Sequence, residues 1–91
     1  MRVEWAPEAF DDLRRVYDFL VVKNRPAADR AFSSLTASSQ RLAEMPRSGA
    51  RVVTFRDLEV RRVLVGQYEI RYRIDADILL VLRIFHTRED R

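Results

Sequence analysis

The sequence contains no cysteine, which excludes disulfides, thiolate metal sites and thiol nucleophiles and fits a cytoplasmic protein. No apolar run approaches the ~20 residues that cross a bilayer as a helix, so no membrane partner is expected. The opening MRVEWAPEAF lacks a basic segment leading into an apolar one, which argues against a secretory signal. Internal repeats and low-complexity tracts are absent. So are a glycine-rich phosphate loop and any metal-ligand spacing, so neither a cofactor nor a metal is expected. There is a single lysine, Lys23, and a single histidine, His86.

What remains is a chain of 91 residues, which suits one domain over 1–91. A chain this short buries only somewhat more than ~60% of its unfolded surface, so its stability margin is thin. Its net charge of +3 is unevenly placed. Residues 1–46 carry seven basic and seven acidic side chains, whereas residues 47–91 carry ten arginines against seven acids. The surplus therefore falls in one half. Arginine recognises phosphate or carboxylate through a planar fork, but a GC-rich genome also favours arginine over lysine. Only the clustering is informative.

Arg2–Trp5 alternates and precedes Pro7, which predicts a short strand followed by a helix with Pro7 in its first turn. Glu8, Asp11 and Asp12 suit the electropositive end of that helix, and Ala6 is a poor cap. Phe10, Leu13, Val16, Tyr17, Leu20 and Val21 form one apolar face. Asn24 and Pro26 end this helix and begin a second, whose stripe is Ala28, Ala31, Phe32, Leu35, Leu42 and Met45, interrupted by Ser38 and Ser39. Pro46 and Gly49 stop it. The short connection implies an antiparallel helical hairpin.

From Leu58 the period becomes two. Leu58–Val65 and Tyr68–Ile74 read as strands joined by the two-residue turn Gly66-Gln67. Ile78–Phe85 is a nearly continuous apolar run, as in a central strand. Ala50–Asp57 is open between strand and loop, and His86–Arg91 reads as a polar tail. The fold class is α+β: a strand, a helical hairpin, then a three-stranded antiparallel meander with the helices on one face of the sheet.

Gly66-Gln67 sets Arg62 opposite Arg71, with Tyr68, Ile70, Tyr72 and Ile74 toward the helices and Glu69, Arg71 and Arg73 away from them. A three-residue turn over Asp75–Asp77 would place Ile78, Leu80, Leu82 and Ile84 toward the helices, and Leu79, Val81, Arg83 and Phe85 on the arginine side. A one-residue slip reverses that assignment. Arg62, Arg71, Arg73 and Arg83 are thus expected on the face without helices. Like charges on neighbouring strands repel, so such a face is either solvated, with ion pairs to Glu59 and Glu69, or neutralised by an anionic partner. Arg83 interrupts an apolar strand and needs a partner of its own.

VEWAPEAFDDLRRVYDFL at the start, RLAEMPRSG after the second helix, and LEVRRVLVGQYEIRYRI with LLVLRIFHTRED at the end together resemble the ParE branch of the ParE/RelE toxin superfamily. The resemblance implies a small toxin fold, a cognate ParD-like antitoxin, and DNA gyrase as the target. RelE-like relatives instead cut messenger RNA in the ribosome, and an inactive, diverged member is a third possibility. For a ribonuclease, the resemblance places Arg62 and Arg83 at arginine-bearing strand positions and His86 at the terminal acid. This sheet has no lysine, and the segment from His86 onward has no tyrosine, so the acid–base chemistry of RNA cleavage is poorly supplied. A gyrase-binding inhibitor needs only a complementary surface. The expected target- or antitoxin-binding residues are Arg62, Arg71, Arg73, Arg83, Phe85, His86 and Arg88. The antitoxin is expected to cover the sheet and part of the hairpin.

Overall fold

A computed structural model describes residues 1–88. Strand β1 (Arg2–Trp5) leads through Ala6 into helix α1 (Pro7–Val21), and helix α2 (Arg25–Leu42) follows. A 3-10 turn over Pro46–Ser48 precedes the two-residue strand β2 (Ala50–Arg51), and then come β3 (Glu59–Val65), β4 (Tyr68–Asp75) and β5 (Ile78–His86). Local chemistry sets the helix starts. Pro7 opens α1 without a side-chain cap, whereas the Asn24 side chain accepts the Ala27 N–H at 3.1 Å to cap α2. Only Ala50 and Arg51 of the ambiguous segment join the sheet, and Val53 and Phe55 beyond them are exposed. The polar tail is described only to Arg88, and β5 runs on to include His86.

The sheet order is β1-β5-β4-β3-β2, with β1 parallel to β5 and the remaining pairs antiparallel. Ala9 and Leu13 of α1 and Leu35 and Leu42 of α2 pack on Ile70, Tyr72, Ile74, Leu79, Val81 and Ile84 to form the core. The β3–β4 register is the expected one: Val65 faces Tyr68, Val63 faces Ile70 and Arg62 faces Arg71. Gly66 has φ 59°, the left-handed conformation that this tight turn requires of its first residue.

Strand β5 departs from the expected parity. Asp75 pairs with Ile78, so the turn has two residues, Ala76 and Asp77, rather than three. Leu79 and Val81 therefore point into the core, fully buried, and not to the arginine side. A bulge then intervenes: Arg71 pairs with Arg83 but Tyr72 pairs with Val81, so Leu82 is the extra residue. The bulge restores the expected order for the end of the strand, where Ile84 is in the core and Arg83 pairs with Arg71.

Candidate functional site

Arg62, Arg71 and Arg83 are cross-strand partners in sequence across β3, β4 and β5, so they form a row on the face away from the helices. Three adjacent cations repel one another, and two buried acids offset this. Glu69 lies on the same face two residues from Arg71 and is completely buried. Its carboxylate accepts Arg71 Nη2 at 2.9 Å and lies 3.5 Å from Arg62 Nη1. Asp12, one turn into α1, is the second acid. It accepts Arg83 Nε at 2.8 Å and Nη2 at 3.1 Å, a bidentate pair, and also the backbone N–H of Ile84 at 2.9 Å. Arg15 Nη2 reaches the same carboxylate at 3.3 Å. The partner that Arg83 requires is therefore a helix residue. Phe85 completes the row: the Arg71 and Arg83 guanidiniums lie 5.3 and 5.1 Å from its ring centroid.

The other expected residues distribute around this row. Arg73 shares the face but pairs with Asp75 at 3.3 Å, at the far end of β4. His86 is opposite Tyr68, on the helix side of the sheet, and their rings meet edge-on at 5.4 Å. The structure thus brings Arg62, Arg71, Arg83 and Phe85 together and sets His86 on the other face. Both ring nitrogens of His86 are in use. Nδ1 accepts the Arg88 N–H at 3.1 Å, and Nε2 lies 3.3 Å from Gln67 Oε1. Glu59, considered with Glu69 as a partner for the arginine face, faces away from the row. Hydrogen bonds from Arg47 and then Arg61 hold its carboxyl below the usual value, so the stability it adds is present at neutral pH and lost in acid.

A second feature lies on the hairpin. Phe10 and Phe32, read in the sequence as members of the apolar faces of the two helices, are 58% and 45% exposed. With Trp5, Leu13 and Tyr17 they line an open groove between α1 and α2. Trp5 and Phe10 stack at 5.6 Å, and Tyr17 meets Phe32 edge-on at 6.3 Å. Tyr17 also donates its hydroxyl to Asp29 at 3.1 Å, which fixes the groove wall. The periodicity placed these rings on the correct helix faces, but the helices reach the sheet mainly through Ala9, Leu13, Leu35 and Leu42.

A family model described as the ParE toxin of the type II toxin–antitoxin system parDE matches residues 3–91. The chain belongs to the ParE toxin family. A solved structure of the chromosomal ParDE toxin–antitoxin system from P. aeruginosa is similar at a TM-score of 0.78 and 24% identity, over 94% of this chain and 95% of that one. At that identity the likeness is one of fold. Among curated proteins none matches the chain. In this ParE-family toxin, sequence reasoning missed Asp12 and the groove. Asp12 gave no separate signal, because an acid near a helix start already has a sufficient reason to be there.

Proposed function

We propose that this toxin inhibits DNA gyrase through its arginine face, and that a ParD-like antitoxin neutralises it by filling the helical groove. The observation that carries the first part is the commitment, among the described residues, of the acid–base candidates Glu69, Asp12 and His86. Arginines remain protonated near neutral pH and cannot accept a proton. The carboxylates beside the row, Glu69 and Asp12, are buried and bonded to guanidiniums. His86 lies on the opposite face with both nitrogens engaged. Positioned acid–base groups are each worth roughly 10²–10⁴-fold in rate, so a ribonuclease cannot forgo them, whereas a binding inhibitor can. Purified toxin is expected to suppress supercoiling in a gyrase assay and to leave messenger intact on translating ribosomes. Cleavage of ribosome-bound messenger that is lost in His86→Ala, with gyrase unaffected, would reverse the choice. A chain harmless on overexpression would mark it as an inactive member.

The groove supports the second part. Exposed aromatic side chains gathered between two helices suit an amphipathic segment that folds on binding. Co-expression with an antitoxin is then expected to raise the melting temperature by mass action. Phe10→Ala with Phe32→Ala is expected to weaken the complex by ~2 kcal/mol or more, about 30-fold in affinity, with little change in the stability of the free toxin. Unchanged affinity measured by calorimetry would remove the groove from the interface.

A further inference from the structure

The groove on the hairpin has a length, a floor and a charged rim, and each restricts its occupant. Its α1 wall repeats at Phe10, Leu13, Arg14 and Tyr17, the spacing of one helix face. Its α2 wall runs from Asp29 to Gln40, eleven residues (40 − 29), or about 16 Å at the rise of an α-helix. That is the length of three helical turns. The volume, about 1070 Å³, exceeds the ~300–1,000 Å³ of small-molecule sites. The floor is apolar to an incoming group although it carries hydroxyls. Leu13 and Ser39 are buried, Thr36 Oγ1 donates to the Phe32 carbonyl at 2.9 Å, and Ser39 Oγ donates to the Thr36 carbonyl at 2.8 Å. The rings stand at the two ends, Trp5 with Phe10 and Tyr17 with Phe32. Between them the small, exposed Ser33 and Ala37 leave room for a large apolar side chain.

The rim selects the charge. The molecule is basic, yet the charged residues that line the groove are Asp11 and Asp29 against Arg14. Asp11 and Arg14 lie one turn apart on α1, so each offsets the other. Asp29 has no such neighbour in the groove, since Arg25 and Arg30 beside it on α2 are not part of the lining. Its carboxylate accepts the Tyr17 hydroxyl at 3.1 Å and forms no ion pair with the described residues. That bond fixes the carboxylate at the hairpin end of the groove without neutralising it.

We infer that the groove holds a single amphipathic helix of about three turns that sets an arginine or lysine against Asp29. The occupant is the antitoxin segment of the groove reading, on which this step rests. Its large apolar side chains, spaced by three or four residues, enter between the two ring pairs. Peptides test the chemistry directly. The probe is a helix-stabilised peptide of about 14 residues, with leucines at that spacing and no charged side chain. Arginine or glutamate then replaces a glutamine near either end, and binding to the full chain is followed by fluorescence anisotropy. An exposed ion pair is worth little, so the better arginine peptide is expected to bind about threefold tighter than the glutamine parent, and its glutamate counterpart about threefold weaker. Asp29→Asn keeps an acceptor for the Tyr17 hydroxyl and is expected to abolish that ranking while the glutamine parent binds as before. Asp57→Asn, in the exposed loop before β3, should leave the ranking intact. Salt at about 1 M should level the three peptides.

Peptides that fail to bind, or that bind equally well when Phe10 and Phe32 are both alanine, overturn the inference, as does a ranking insensitive to Asp29→Asn. Dimerisation of the toxin in sedimentation that Phe10→Ala abolishes, without peptide binding, overturns it in favour of a second copy. The antitoxin complex separates this step from the groove reading. Antitoxin affinity that falls in the double phenylalanine variant but not in Asp29→Asn removes the charge assignment and leaves the groove reading. Affinity unchanged in both removes the antitoxin from the groove, even where the peptides bind as expected. The full peptide ranking, its loss in Asp29→Asn and a parallel loss of antitoxin affinity support the inference.

Discussion

Asp12→Ala is expected to lower stability by about 3 kcal/mol, the sum of one orphaned buried donor at roughly 1–3 kcal/mol and a discounted ion pair. The orphaned donor is the Ile84 N–H, which Asp12 accepts at 2.9 Å in a buried setting. Strand β1 pairs with β5 only as far as Val81, so beyond that residue the Asp12 carboxylate stands where a neighbouring strand would. The ion pair is discounted because Arg83 keeps 43% side-chain exposure and can turn back to water. Three kcal/mol corresponds to a fall in Tm of roughly 12–24 °C for a domain of this size. Asp12→Asn retains an acceptor for Ile84 and is expected to cost clearly less. Urea unfolding of the three proteins reads this directly. A loss below about 1 kcal/mol for Asp12→Ala would mean that the residue acts only on the helix dipole, which is worth about that much.

Gly49→Ala is expected to have an effect of similar size for a different reason. The backbone of Gly49 is ordinary, with φ −77° and ψ 157°, so conformation is not the issue. Space is: a Cβ there would lie 2.5 Å from the Tyr72 hydroxyl and 2.6 Å from the Arg62 carbonyl oxygen. Tyr72 donates to the Pro46 carbonyl at 2.7 Å and accepts the Gly49 N–H at 3.1 Å, which pins the 3-10 turn and β2 to the sheet. The new methyl must displace this hydroxyl and a strand carbonyl together, so about 3 kcal/mol is expected, the upper end of overpacking costs. Tyr72→Phe alone leaves the buried Gly49 N–H without its acceptor, at about 1–3 kcal/mol. The double variant is expected to be less destabilised than the sum, because removing the hydroxyl relieves one of the two collisions. Strict additivity would show that the hydroxyl gives way freely. Burial, the largest influence, pushes the Tyr72 phenol above its ordinary value of 10.0. The stability linked to it is fully present below that pH and lost as the pH rises through the higher folded value.

Where the sequence marked its own geometry, the fold was legible. Gly66 announces a two-residue turn, and alternation on both sides of it fixes the β3–β4 register, hence Arg62 opposite Arg71. The next turn carries no such mark. Ala76 takes the left-handed conformation with φ 53°, where glycine would be expected. Ile78–Leu82 is apolar at every position, so alternation cannot show which residues face inward, and the Leu82 bulge leaves no compositional trace. The register also decides between Glu59 and Glu69, turning Glu69 toward Arg62 and Glu59 away. Asp12 and Arg83 are 71 residues apart, so their pairing exists only through the tertiary fold. The groove was illegible because helical spacing identifies a face, not whether that face reaches the sheet.

The parallel pairing of β1 with β5 has a consequence for the timing of synthesis. Leu79, the partner of Val3, is made 76 residues after it (79 − 3). At translation rates of about 5–20 residues per second, β1 waits roughly 4–15 s for its neighbour. Ile84, the backbone partner of Asp12, is made later still. The first strand thus has no neighbouring strand until β5 is made, and α1 has only α2 to pack against while the sheet is incomplete. A nascent chain stopped before β5 lacks both the strand that β1 joins and the strand that carries Arg83. Premature termination therefore leaves an open hairpin rather than a slightly shortened toxin, and the arginine row comes into being only when the whole sheet does.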